Sequence, residues 1–284
     1  MKVKVYAKLN LTLNITGVKN GYHDIDSIAV STDIYDIVEV EKRNDRAVNV
    51  WGQAEIQTEH NTAYKAACAF ITVFGTNGAD IRISKNIPMS AGMGGSSADA
   101  AAVIYCMCKL NNIDVNSYRV YEICSSIGSD VNFMLRGGLG RMSGKGDDVI
   151  FYGMTDTLYF ALTTFNVGVS SAQAYVRFDN LTTKSVCADN GKIIKLFESG
   201  QVKQAVKLFN NNLQAAVETI SDYAFNYLQY CRAQQLLCNM TGSGSAYYIA
   251  FDNEQEANNV AEKLSQNGFD TRVCRSVLRG IEEI

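Results

Sequence analysis

One proline occurs in 284 residues, Pro88, and it opens the most constraining segment of the chain: Pro88-Met89-Ser90-Ala91-Gly92-Met93-Gly94-Gly95-Ser96-Ser97-Ala98-Asp99. Three glycines among small residues allow backbone conformations closed to most side chains. Directly afterwards, residues 98–110 are rich in alanine and apolar almost all round, the pattern of a helix buried between other elements. A loop of this kind before a helix lets the backbone N–H groups of residues 90–97 converge on an anion at the positive helix end, and a serine hydroxyl such as that of Ser97 can reach a phosphate or its magnesium. The spacing alone suits equally a glycine turn capped by Ser96 or Ser97. It is not a Walker A loop: the nearest match, Gly144-Lys145, is followed by Gly146 and has Leu139 where the first glycine belongs.

The rest of the chain narrows the class. Its length predicts two fused domains with a boundary near Gly153. With 47% hydrophobic and 19% charged residues it reads as an ordinary globular protein. Its 26 basic and 29 acidic residues give a net charge of −3, so no overall field attracts nucleic acid or an anionic membrane, and any phosphate must be held locally. Eight scattered cysteines, with no C-x-x-C pair, are expected to be reduced core residues. No secretory core follows Met1 and no run of 18 apolar residues occurs, which predicts a cytoplasmic protein.

Residues 3–15 alternate, with Val3, Val5, Ala7, Leu9, Leu11 and Leu13 on one face, which predicts a half-buried strand. A turn at Asn20-Gly21 and strands over 25–34, 37–42 and 47–51 complete an antiparallel opening. Helices are expected over 62–74, 98–110, 117–127 and 131–135, with a strand at 80–84. The second half reads as strand 158–163, a loop, helices 192–198, 202–217 and 222–228, strand 246–251, helix 253–267 and strand 271–275, an α+β order.

Several residues outside the loop can carry chemistry. Lys8 and Asn10 share the polar face of the first strand and can point into one cleft. By itself Lys8 suits a solvated strand lysine, and Asp130, after Gly128, a helix N-cap. Tyr22-His23 offers an aromatic face beside a hydrogen-bonding ring, and the only other histidine is His60. Thr241-Gly242-Ser243-Gly244-Ser245 precedes an apolar strand, and its backbone at Gly242 and Ser243 can approach a substrate or its phosphates closely.

The glycine loop resembles the P-x-x-x-G-L-G-S-S-type phosphate loop of the GHMP kinases. Ala7-Lys8-Leu9-Asn10-Leu11, Asn20-Gly21-Tyr22-His23, Asn61 with Lys65-Ala66-Ala67, Gly128-Ser129-Asp130-Val131, Gly144-Lys145-Gly146-Asp147 and the 241–245 segment follow in the order of the branch that phosphorylates 4-diphosphocytidyl-2-C-methyl-D-erythritol. The resemblance implies an α+β GHMP kinase fold: a ribosomal-protein S5 domain 2-like N-terminal, ATP-binding domain (1–153) and a ferredoxin-like C-terminal domain (154–284). It further implies that Pro88, Ser90, Ala91, Gly92, Met93, Gly94, Gly95, Ser96 and Ser97 hold ATP, with Mg²⁺ at Ser97. Lys8 and Asp130 are the implied catalytic pair, while Asn10, Tyr22, His23, Gly242 and Ser243 hold an alcohol bearing a cytidyl diphosphate. Tyr175, after Gly168-Val169-Ser170, is the implied second stacking aromatic, with Phe178 as alternative. No nucleic acid or membrane partner is expected, and a monomer or weak homodimer is. The chain departs from the family pattern at Gly92-Met93-Gly94-Gly95-Ser96-Ser97-Ala98-Asp99, where Gly-Leu-Gly-Gly-Gly-Ser-Ser-Asp is usual. Asn132 also replaces a proline, and Asp147 a glutamate. A GHMP kinase for another small alcohol, and a non-catalytic nucleotide-binding relative, remain alternatives.

Overall fold

The computed structural model of the chain describes residues 1–19, 21–52 and 60–284. In chain order the first half contains β1 (Lys2–Asn10), β2 (Thr12–Lys19), β3 (Tyr22–Lys42), β4 (Val48–Trp51), α1 (Thr62–Phe74), β5 (Ala79–Ser84), α2 (Gly95–Leu110), α3 (Tyr118–Ile127), α4 (Val131–Arg136), β6 (Leu139–Gly144) and β7 (Asp148–Tyr152). The second half contains β8 (Tyr159–Thr163), α5 (Ser171–Asp179), α6 (Asn190–Glu198), α7 (Val202–Val206), β9 (Asn210–Asn211), α8 (Gln214–Glu218), α9 (Asp222–Ala233), β10 (Cys238–Met240), β11 (Tyr247–Phe251), α10 (Glu254–Gln266), β12 (Thr271–Val277) and β13 (Ile281–Glu283).

β3 organises the fold. Its 21 residues pair antiparallel with β1, β2, β5, β6 and β12, so two strands expected over 25–34 and 37–42 are one. Asp36 interrupts the apolar pattern of β3 without ending the strand, because its carboxylate is satisfied by neighbouring N–H groups and a lysine. β12 pairs with both β3 and β8 and thereby joins the strands of the two halves, while β13 returns to pair with β1. Of the expected Asn20-Gly21 turn, Asn20 lies outside the described residues.

The expected half-buried first strand needs two corrections. The alternating run divides at Leu11 into β1 and β2, and from Tyr6 to Asn14 its polar face is buried like its apolar one, with only Lys4 half-exposed. Burial of Lys8, Asn10, Thr12 and Asn14 is possible because the second half of the chain covers that face with polar partners. Thr12 donates to Asn190 Oδ1 at 2.7 Å, and Asn14 Nδ2 to the Ala188 carbonyl at 2.8 Å. The helix expected over 202–217 is likewise broken by Asn210-Asn211-Asn212 into α7, β9 and α8. β9 pairs in parallel with β2, and the Asn211 and Asn212 side chains bond residues distant in sequence, so tertiary hydrogen bonds outweigh local helix preference there. A further helix, α5, occupies part of the segment expected as a loop.

α1 and α2 set the floor of the first half. Asn61 accepts from the N–H groups of Ala63 and Tyr64 and starts α1, and Gly75 stops it in a left-handed conformation. α2 buries every residue from Ala98 to Cys108 except Tyr105, against α1, α3, α4, β1 and β3, as its all-round apolar composition predicts. Five cysteines are buried, but Cys68 and Cys238 are only half-buried and Cys187 is exposed, a correction to the expectation of eight core thiols. None of the described helices is long and apolar enough to cross a membrane.

Candidate functional site

The glycine loop reaches α2 earlier than its composition suggests. Gly95, Ser96 and Ser97 already form the first turn, and the N-cap is Gly94 in a left-handed conformation (φ 74°) with no side-chain cap. The N-terminus of a 16-residue helix therefore faces a cleft without a capping side chain to take its N–H groups, the arrangement that accepts phosphate. That cleft, of about 490 Å³, is lined by Pro88, Ser90, Ala91, Gly92, Met93, Gly94, Gly95, Ser96 and Ser97, and also by Lys8, Asp130, Gly242 and Ser243. A second cleft, of about 550 Å³ and lined by Tyr121, Asn132, Arg136 and Phe151 among others, contains none of these residues.

Lys8 enters the cleft from the buried face of β1. Its main-chain N–H donates to the Met93 carbonyl at 3.1 Å, which ties strand and loop together. Its ammonium donates to Asn10 Oδ1 and lies 3.5 Å from Asp130 Oδ2. Asp130 occupies the N-cap position of α4, yet its carboxylate makes no cap bond. The side chain is thus turned to Lys8 instead of to its own helix, which separates the two roles the sequence left open. The pair is asymmetric: the Lys8 side chain is 4% exposed and that of Asp130 is 29% exposed, so the carboxylate keeps an open side.

Asn10 does not line the cleft; it lies in its wall. Its Oδ1 accepts from Lys8 and from the Gly242 N–H at 3.0 Å, and its Nδ2 donates to Ser27 Oγ at 2.8 Å. One side chain thereby aligns the lysine, β3 and the 241–245 loop. That loop packs directly on the glycine loop: Thr241 Oγ1 donates to the Gly92 carbonyl at 3.1 Å, Ser245 N to Ser90 O at 3.2 Å and Ala246 N to Ala91 O at 3.1 Å. A Cβ on Gly92 would sit 2.2 Å from the Thr241 carbonyl oxygen, so the two loops fit only with glycine there.

Tyr22, His23 and Tyr175 lie outside the cleft lining, and of the three only His23 and Tyr175 are brought together. Tyr22 is exposed beneath the Lys145 ammonium, 5.7 Å from its ring centroid. His23 Nε2 is 2.9 Å from Asp179 Oδ1 on α5, and its ring stacks on Tyr175 with centroids 4.5 Å apart. At that spacing the His23 and Tyr175 rings touch and leave no slot between them. Burial, followed by the Asp130 charge, pushes the Tyr175 hydroxyl up to about 12. Phe178, the alternative aromatic, is buried in the second hydrophobic core.

Sequence reasoning passed over three charged residues beside the loop. Lys85 Nζ lies 2.8 Å from Asp99 Oδ2 and also contacts Asp36 Oδ2. Burial pushes the Asp99 carboxyl up to about 7, with the Lys85 charge opposing and the Asp36 charge adding to the rise. Burial works against the Lys85 ammonium, but the Asp99 and Asp36 charges outweigh it and leave its pKa raised. The available signal was Asp99 itself, a lone acid in a helix apolar all round, which requires a buried partner.

Family models match both halves of the chain: GHMP kinases N terminal domain over residues 61–140, and GHMP kinases C terminal over residues 193–270. A 4-diphosphocytidyl-2-C-methyl-D-erythritol kinase of Caldicellulosiruptor bescii is 34% identical over 275 residues, covering 93% of this chain and 94% of that protein. One of Clostridium botulinum is 30% identical, covering 98% and 100%. Among solved structures, a 4-(cytidine 5'-diphospho)-2C-methyl-D-erythritol kinase superposes with a TM-score of 0.77 at 20% identity, covering 98% of this chain and all of that one. A homoserine kinase from Cytophaga hutchinsonii gives 0.70 at 18% identity, covering 100% and 97%. The two structures share the fold, and the sequence relatives, similar across nearly their whole length, carry the assignment: the chain belongs to the GHMP kinases.

Proposed function

We propose that this protein transfers the γ-phosphoryl group of ATP to the 2-hydroxyl of 4-diphosphocytidyl-2-C-methyl-D-erythritol. The observation that carries the reading is the Lys8–Asp130 pair, 3.5 Å apart and facing the uncapped N-terminus of α2 across one cleft, in a chain similar over its full length to kinases of that name. The division near Gly153 belongs to the same reading, supported by the two family matches falling on either side of it.

Phosphoryl transfer asks the protein mainly for positioning and charge neutralisation. In this reading the backbone of residues 90–97 and the α2 N-terminus hold the nucleotide phosphates. Asp130 accepts the hydrogen bond of the attacking hydroxyl and directs the oxygen in line, and Lys8 orients that carboxylate and offsets charge as it develops. Asn10 fixes Lys8, while Gly242 and Ser243 face the acceptor and Tyr22 and His23 its cytidyl group, with Tyr175 backing the His23 ring in place of stacking on the base's far side. Magnesium suits the donors present. The Ser97 hydroxyl leaves the other positions to phosphate oxygens and water, the coordination Mg²⁺ prefers, and no group of three or more His, Cys, Asp or Glu gathers as a cage among the described residues. Bound there, Mg²⁺ would neutralise phosphate charge.

The test is ATP turnover by the purified protein with and without 4-diphosphocytidyl-2-C-methyl-D-erythritol, with mevalonate and homoserine as control acceptors. Turnover only with the cytidyl compound is expected. Turnover with a control acceptor instead would discard the assignment of Tyr22 and His23, and ATP binding without turnover on any acceptor would discard catalysis.

A further inference from the structure

Beside the phosphate loop lies a cluster that the proposed chemistry does not use. Asp36 on β3 and Asp99 on α2 are fully buried, and the Lys85 ammonium bridges their Oδ2 atoms from the segment just after β5. The other Asp36 oxygen accepts the main-chain N–H groups of Asn86 at 2.6 Å and Ile87 at 2.8 Å, the two residues before Pro88. The three side chains thus join the entry of the glycine loop to β3 at one end and to the first helical turns of α2 at the other. Lys85 is also close to the loop itself. A Cβ on Gly95 would lie 3.4 Å from Lys85 Nζ and 3.2 Å from Ile87 Cγ2, and both Lys85 and Asp99 line the same cleft as the loop.

The cost of this arrangement points to a purpose. An ammonium shared by two buried carboxylates stabilises less than an apolar filling of equal volume commonly would, so such a group is explained better by the geometry it imposes. A loop containing Gly92, Gly94 and Gly95 has little stiffness of its own. Its N–H groups converge on an anion only while its two ends are held at a set separation.

We infer that Lys85 is a positioning residue for nucleotide phosphates: through Asp36 and Asp99 it clamps the two ends of the glycine loop and so presents the loop's N–H groups and the α2 N-terminus together. The inference rests on the nucleotide-binding reading of the loop. Lys85 acts in it through the loop, since its ammonium is already engaged by two carboxylates.

The test compares Asp99→Ala, Lys85→Arg and Lys85→Met with the wild type, measuring KM for ATP, KM for the acceptor, kcat and the Kd for ADP. Asp99→Ala leaves one carboxylate for one ammonium, so it is the variant least exposed to misfolding. It separates two roles by sign. If Lys85 is a clamp, releasing it from α2 raises KM for ATP and Kd for ADP about tenfold, with kcat and the acceptor KM little changed. If Lys85 instead binds phosphate directly, the freed ammonium tightens nucleotide binding and the inference is overturned. Lys85→Arg, whose fork can bridge two carboxylates, is expected to keep KM for ATP within about threefold of wild type, whereas Lys85→Met loses ATP affinity. Unchanged ATP affinity in both Asp99→Ala and Lys85→Met would also overturn it. A wild type that binds no ADP or ATP would mark instead the failure of the nucleotide-binding reading.

Discussion

Gly94 packs against Lys8 so closely that a methyl group on Gly94 would lie 3.3 Å from Lys8 Cγ and 2.1 Å from Met134 Cε. The phosphate-loop residue and the catalytic lysine of the proposed mechanism therefore share one wall. The methionine tip can swing aside, but the left-handed backbone of Gly94 (φ 74°) cannot be relieved so easily. Gly94→Ala is expected to cost about 1–2 kcal/mol for that conformation alone. Moving Lys8 should lower kcat about tenfold as well. Thermal melting and turnover of the variant check both, and wild-type values in each would show that the contact is slack.

The Asp130 carboxylate faces Lys8 and caps nothing, so its removal should affect chemistry more than folding. Asp130→Asn is expected to lower kcat by about 10²-fold or more while ATP binding and melting temperature stay close to wild type. A fully active Asn variant would remove Asp130 from the mechanism.

His23 is held from two sides, by Asp179 at 2.9 Å and by the Tyr175 ring. Under the proposed assignment it meets the cytidyl group and lies outside the lining of the nucleotide cleft. His23→Ala should then raise the acceptor KM about 10–100-fold, the loss of one stacked and hydrogen-bonded contact, and leave KM for ATP unchanged. A matching rise in both KM values would mean that His23 supports the whole cleft and does not select the acceptor.

Burial pushes the Cys106 and Cys124 thiols up to about 12. At pH 8, well below that value, both remain protonated and unreactive, whereas Cys187 is exposed. Thiol labelling of the native protein at pH 8 should therefore modify Cys187 rapidly, and Cys106 and Cys124 only after unfolding. Mass spectrometry of the labelled peptides identifies the sites. Rapid native labelling of Cys124 would contradict the packing of α3 against α2.

Local pattern determined much of this protein. The alanine-rich, all-round apolar run implied a buried α2, and the residues after Asn61 implied α1, because each is encoded within a few neighbouring residues, whereas the glycine-serine segment suited a phosphate cradle and a capped turn equally until the fold showed the α2 end without a side-chain cap. Matching motifs, ordered along nearly the whole chain, named the family. Tertiary structure decided what depends on residues far apart. The polar face shared by β1 and β2 is buried because the 241–245 loop covers Asn10 while Asn190 and Ala188 cover Thr12 and Asn14, and the 202–217 helix breaks because its asparagines bond β2, the last residue of β10 and Gly242. Asp130 could not be told from an N-cap until Lys8, distant in sequence, was seen 3.5 Å away. Asp99, a lone acid in an apolar helix, signalled a buried partner but not which one: a charge in one segment does not disclose its counter-charge in another, and only the packed fold, where an unpaired buried charge is too costly to persist, brings Lys85, Asp36 and Asp99 together.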